Sequence, residues 1–306
     1  MKPVLAVTLA FGLAACGQDQ PAPAARTDSA PDGKPTLVTT VRGLSAPESV
    51  IHDVDQDIYF VTNVNGNPGA KDGNGFISRM TPDGTVDSLH FVMGGRNGVT
   101  LNAPKGTAIT GDTLWVTDLD AVRGFNRFTG APLATIEFGP RARFLNDLAL
   151  GPDGKLYVSE MGVATNDAGQ MSPTGLDNVF RIGDGHRIES IMTRSKVPMP
   201  NGITAHGRGL LIGSFSEPEV REWREDADSL APVGKASGGV DGIGVLDDGR
   251  IVASSWDDST VAVVGATPEP LITGVAAPAD FEIDRKRHRV LVPQLTENQV
   301  VVWQLH

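Results

Sequence analysis

LNDLALGPDGKLYVSE, residues 145–160, decides the fold. It holds a short apolar strand, a tight turn at Pro152-Asp153-Gly154 and a second apolar strand ending on an acid. Glycine in the turn permits the positive φ that a hairpin of this length needs. The same arrangement returns as PESVIHDVDQDIYFVTN from Pro47, PKGTAITGDTLWVTD from Pro104, PNGITAHGRGLLIGSF from Pro200, VDGIGVLDDGRIVASSW from Val240 and PADFEIDRKRHRVLVPQ from Pro278. Self-similarity at a regular period is the mark of a repeat architecture. Two further strand-like stretches follow each of the first five copies, such as VRGFNRF and LATIEF after the second. Each unit therefore reads as a four-stranded antiparallel meander of about 45 residues, the size of a propeller blade. The expected fold is all-β, a six-bladed β-propeller over residues 36–306. The last copy ends with NQVVVWQLH and lacks a fourth strand, which TLVTTVRG at 36–43 supplies. Closing the ring with strands from both ends removes the two edges that a linear array would expose.

Aligning the six copies on the residue that opens the first strand gives Glu48, Lys105, Asn146, Asn201, Asp241 and Ala279. Equivalent positions of a closed array lie on one ring, so the side-chain oxygens of Glu48, Asn146, Asn201 and Asp241 are expected to converge on its axis. Two carboxylates and two amides, with no sulfur or imidazole, suit Ca²⁺, with another divalent cation as the alternative. Two negative ligands also neutralise a dication, so the buried cluster carries little net charge. Taken singly, Asn201-Gly202 and Asp241-Gly242 read equally as turn residues; four oxygens at one ring position favour the metal. The two longest intervals between copies place extra chain at Asn63–Gly75 and Met161–Asp177. Both insertions follow a second strand, on the face where the first strand begins, so they are expected to cap the ring as lids.

With Glu48 in PESV, Asn146 in FLNDLAL, Asn201 in PNGI and Asp241 in VDGIGV, the chain resembles the family of senescence marker protein, gluconolactonase and luciferin-regenerating enzyme. More distantly it resembles the paraoxonase and diisopropyl-fluorophosphatase propellers. The resemblance covers residues 36–306 and implies a central Ca²⁺ held by those four residues, together with hydrolysis of lactones or phosphoesters. It also gives Asp241 a base or nucleophile role. In physical language, an axial cation would polarise a lactone or ester carbonyl while Asp241 takes a proton from the attacking water. Asp147, next to Asn146, is a candidate either for a base or for a residue that supports the ligands from behind. Lys105 is the departure, because a dication repels an ammonium at the same ring position. Three outcomes are open: Lys105 leans to the rim and clamps an anionic substrate, it acts in catalysis with a lowered pKa, or it replaces the metal by pairing with Glu48 and Asp241. The family's basic substrate contact has a shifted counterpart in Arg143, three residues ahead of Asn146. Asp118 and Glu160 end second strands and are further candidates for touching substrate.

Residues 1–15 read as a bacterial lipoprotein signal: Lys2, an apolar run from Val4 to Leu13, and the lipobox Leu13-Ala14-Ala15-Cys16 with the diacylglycerol on Cys16. Residues 16–35, rich in Pro, Ala, Asp and Ser, cannot bury enough apolar surface to fold and read as a tether. The expected location is the periplasmic side of the cell envelope, anchored to the membrane through Cys16. Cys16 is the only cysteine, so packing rather than disulfides must hold the propeller. A formal charge of -11 makes nucleic acid a poor partner. The expected partner is a small-molecule substrate, and the chain is expected to act as a monomer. Gly-x-Ser-x-Gly does not occur, which argues against an α/β-hydrolase mechanism. The six histidines show no ligand spacing, and the four tryptophans read as packing between blades. The competing reading is a silent propeller that binds a protein, peptide or small ligand at the capped face, with Lys105 in the cation's place.

Overall fold

A computed structural model describes residues 33–193, 196–227 and 229–306. The signal segment, Cys16 and the tether as far as residue 32 lie outside the described residues. The expected propeller is the observed one: six four-stranded sheets arranged as blades. Strand β1 (Thr36–Arg42) stands apart in sequence from the blade it completes. Blade 1 is β2 (Pro47–Asp53), β3 (Ile58–Asn63), β4 (Phe76–Met80) and β5 (Val86–Met93). Blade 2 is β6 (Pro104–Thr110), β7 (Thr113–Asp118), β8 (Ala121–Asn126) and β9 (Pro132–Glu137). Blade 3 contains β10 (Leu145–Leu150) and β11 (Leu156–Glu160), then a small hairpin of β12 (Val163–Thr165) and β13 (Met171–Pro173) inside the insertion. It finishes with β14 (Asn178–Ile182) and β15 (Ile188–Thr193). Blade 4 is β16 (Pro200–His206), β17 (Gly209–Ser214), β18 (Glu217–Arg224) and β19 (Ser229–Lys235). Blade 5 is β20 (Val240–Val245), β21 (Ile251–Ser255), β22 (Thr260–Val263) and β23 (Glu269–Thr273). Blade 6 is β24 (Glu282–Asp284), β25 (Arg289–Gln294) and β26 (Gln299–Gln304), with β1 outermost.

Closure by β1 is antiparallel, running from Thr36 opposite Gln304 to Arg42 opposite Gln299. Arg42 thus lies at the cavity end of the blade, and Thr36 lies at the opposite end, where its hydroxyl meets His306 at 3.0 Å. Each of the six contacts between neighbouring blades has its own buried apolar cluster. Blades 2 and 3, for example, meet through Trp115, Val122, Leu145, Val158 and Phe180. The closing contact between blades 6 and 1 uses Val50, Val61, Leu291 and Val300. Burial shared among six interfaces, rather than one central core, is what a ring of stacked sheets must use.

The inner strands share one irregularity that aims the ring residues. In blade 1 Pro47 faces Asn63 and Val50 faces Val61, so Glu48 and Ser49 stand opposite Thr62 alone. Blades 2, 3, 4 and 5 show the same two-against-one bulge at Lys105-Gly106, Asn146-Asp147, Asn201-Gly202 and Asp241-Gly242. A bulge frees a residue from the ladder and redirects its side chain, here toward the axis. In blades 1, 3 and 5 a hydroxyl at the single opposing position satisfies a freed amide. Ser49 N–H donates to Thr62 at 2.9 Å, Asp147 N–H to Ser159 at 2.8 Å and Gly242 N–H to Ser254 at 2.7 Å. Replacing Ser159 with Ala leaves a fully buried N–H unpaired, so we expect a loss of about 1–3 kcal/mol in denaturant unfolding. An unchanged midpoint would refute this account of the bulge.

Candidate functional site

The bulges bring Glu48, Asn146, Asn201 and Asp241 to the wall of one cavity of about 50 Å³, together with Lys105. Glu48 Oε2, Asn201 Oδ1 and Asp241 Oδ1 are buried there and have no hydrogen-bond partner. Leaving three such oxygens unpaired is costly unless something positive sits among them. Among the described residues no three His, Cys, Asp or Glu side chains gather at one point, so the donor set is two carboxylates completed by two amides. That set fits a hard divalent cation.

Electrostatics agrees with the geometry. Burial, then the Asp241 charge, holds the Glu48 carboxyl well above its usual range. Burial pushes Asp241 up to about 7, with Asp147 adding to the shift and Trp256 and Asn201 opposing it. Both groups are thus disfavoured as anions when no cation accompanies them. The linkage follows from their raised folded pKa values. The cation-free protein keeps this contribution below about pH 4, where both states are protonated, and loses it as pH rises through about 7. In chelator, the melting temperature is therefore expected to fall between about pH 5 and pH 8. A rise over that interval would overturn the assignment.

Lys105 takes a position that none of the three sequence outcomes describes in full. The residue is only 2% exposed, and its ammonium donates to the carbonyls of Pro68 and Ala103, both at 2.9 Å. It also lies 4.3 Å from the centre of the Phe144 ring. Burial lowers its pKa to about 8, against the pull of Glu48, Asp118 and Glu160. It is neither at the solvent rim nor hydrogen-bonded to Glu48 or Asp241; carbonyls hold it at the cavity wall.

Other expected site residues are placed elsewhere. Asp147 does not line this cavity. Its oxygens accept the N–H groups of Leu148 and, across the blade boundary, Ile203, each at 2.6 Å, and burial raises it to about 6. It faces a separate opening of about 330 Å³ that enters the axis from the opposite face, alongside Asp280 and Glu282. The bulge sends Asn146 one way and Asp147 the other. Asp118 and Glu160 are also outside the cavity lining. Asp118 accepts the N–H groups of Asn102 and Ala103, both at 2.9 Å, and pairs with Arg123 at 2.5 Å. Glu160 accepts from Arg143, Phe144 and Gly162 at 3.0–3.1 Å. Both carboxylates anchor the loop that leads into an inner strand, which is why second strands end on such residues. Arg143 is exposed, and its guanidinium donates to the carbonyls of Gly139 and Ala142.

Sequence reasoning missed the apolar part of the cavity wall. Phe144, Met161, Phe215 and Trp256 line it, and Trp256 stacks edge-on to Phe215 at 5.6 Å instead of serving only as packing between blades. Phe144 directly precedes the Leu145-Asn146 opening of blade 3, the one local signal that could have drawn attention to it.

The two insertions close the cavity as expected of lids. Pro68 comes from the first and Met171 from the second. Asn67 joins them: its Oδ1 accepts from Thr165 Oγ1 at 2.9 Å, and its Nδ2 donates to the Asn166 carbonyl at 2.7 Å. A cavity of this size has room for one or two waters, so anything larger is admitted only when these loops part. Asn67→Ala is expected to raise amide exchange through residues 163–173 about tenfold. Unchanged exchange there would show that Asn67 does not latch the loops.

No family model matches the chain, and no curated protein matches it. Solved structures do. A structure described as a "putative gluconolactonase" aligns over 90% of this chain and 93% of its own, with a TM-score of 0.64 and 14% identity. Luciferin-regenerating enzyme aligns over 87% and 94%, with a TM-score of 0.61 and 11% identity. The chain has the fold of the gluconolactonase-like propellers. Virginiamycin B lyase from Staphylococcus aureus, in complex with quinupristin, also aligns over 89% of this chain with a TM-score of 0.59 and 13% identity. Enzymes of different chemistry thus share this ring, and reaction type has to be argued from the site.

Proposed function

We propose that the protein is a calcium-dependent hydrolase of a lactone or related ester, anchored through Cys16 at the periplasmic face of a bacterial membrane. The observation that carries the reading is the group of three buried, unpartnered oxygens from Glu48, Asn201 and Asp241 in one cavity. The gluconolactonase and luciferin-regenerating enzyme neighbours support a hydrolase at the level of fold. Glu48, Asn146, Asn201 and Asp241 would hold the ion, which when bound supplies Lewis-acid polarisation of the ester carbonyl.

The chain's own residues do the remainder. Asp241 accepts a proton from water as the water oxygen bonds to the carbonyl carbon, then returns it to the leaving alkoxide as the ring C–O bond breaks. A hydroxy acid is the product. Lys105, held at the wall, offers its charge to the developing oxyanion and to the carboxylate that follows. Phe144 and the lid loops keep bulk water out, which strengthens both interactions.

A silent binding propeller is the competing reading, and it needs Lys105 to neutralise Glu48 and Asp241. Its hydrogen bonds go instead to Pro68 and Ala103, which leaves those carboxylates in want of a cation. The deciding experiment combines calcium content of the full-length protein with turnover of a lactone panel. One calcium per chain with turnover supports the hydrolase; neither calcium nor turnover removes it.

A further inference from the structure

Beyond the ring oxygens, Lys105 and Trp256, the lining of the cavity is apolar. Val64, Phe144, Met161, Met171, Phe215 and Leu295 supply the apolar surface. Lys105 spends two of its three donor bonds on carbonyls, which leaves one for the reacting end. Trp256 Nε1 is the only wall donor among the described residues that is buried and without a partner. The carboxylates that could have bound hydroxyls, Asp118 and Glu160, are consumed by backbone N–H groups and Arg123. Met171, 43% exposed on the lid hairpin, extends the apolar surface to the mouth.

A polyhydroxylated ring in this cavity would bury more hydroxyls than Lys105 and Trp256 can pair, and each one left unpaired weakens binding. An alkyl or aryl substituent would instead be covered by Met and aromatic side chains, which adapt to irregular shapes. We infer that the preferred substrate is a lactone or ester bearing an apolar substituent, and that sugar lactones are disfavoured. The inference deepens the hydrolase reading and rests on it. It assigns the apolar wall to the substituent and the ring oxygens to the reacting end.

Three δ-lactones with the same ring separate the possibilities on the full-length protein with calcium: δ-decalactone, δ-valerolactone and glucono-δ-lactone. Expected is a kcat/KM order of δ-decalactone, then δ-valerolactone, then glucono-δ-lactone, with about 100-fold or more between the extremes. Equal or better turnover of glucono-δ-lactone overturns the inference while leaving the hydrolase intact. Calorimetric titration with the ring-opened acids, 5-hydroxydecanoate and gluconate, is run in parallel. If no lactone turns over, the hydrolase reading falls, and the titration still decides the cavity's preference. Tighter 5-hydroxydecanoate upholds it, and equal or tighter gluconate overturns it.

Discussion

Removing divalent cations with a chelator is expected to lower the melting temperature of the protein by about 5–10 °C, and restoring calcium should recover it. An ion present at about 100 times its Kd stabilises a folded chain by about 2.7 kcal/mol, and each kcal/mol moves the midpoint of a domain this large by about 2–4 °C. Two features of the site make the effect larger than a surface ion would give. Glu48 and Asp241 are both buried, and the Asp241 charge adds to the cost of ionising Glu48, so the carboxylates are poorly tolerated without a cation. The ring also draws its oxygens from blades 1, 3, 4 and 5, so one ion ties four separate elements together. Glu48→Gln in chelator should recover part of the lost stability, since it removes one of the repelling charges. A melting temperature indifferent to chelator, with no metal in the purified protein, would end the cation assignment.

Asp241→Asn is expected to reduce kcat by about 10²–10⁴ while much of the calcium binding survives, because the amide keeps an oxygen at the same place. The distinction matters because a ligand that only holds the ion should lose metal and activity together. Asp241 is the ring carboxylate beside Trp256 and Asn201, with one oxygen free of hydrogen bonds. It can therefore hold a proton in passing. Metal content and turnover measured on the same sample separate the roles. Equal turnover in both proteins removes Asp241 from the proton transfer.

Most of the architecture was legible because each blade repeats the same local rules. Alternating apolar residues, Asp-Gly turns and the orphan strand at residues 36–43 all point to one closed ring, and the ring residues could be read from their shared register. What the pattern could not show was the bulge, since a two-against-one pairing leaves periodicity on either side intact. Its trace was present nonetheless. Thr62-Asn63, Thr117-Asp118 and Ser159-Glu160 place a hydroxyl and then a polar anchor at the end of the second strand, and the structure gives each a separate task. Asp118 and Glu160 were read as substrate contacts because an acid near a mouth has two explanations, and only tertiary contacts choose between them. Asp147 lies outside the cavity for a related reason: one residue's step along a bulged strand moves it to the opposite opening. The hairpin of β12 and β13 has strands of three residues, too short for any period to register. The apolar wall is built by residues from several blades and loops, and no local stretch of sequence announces it.

Because β1 runs toward the lidded end, the polypeptide before Thr36 departs from the underside of the disc. If Cys16 is the anchor proposed above, the propeller is held from the face opposite its lids. Small molecules diffusing through the surrounding fluid could then reach the mouth without crossing the lipid surface.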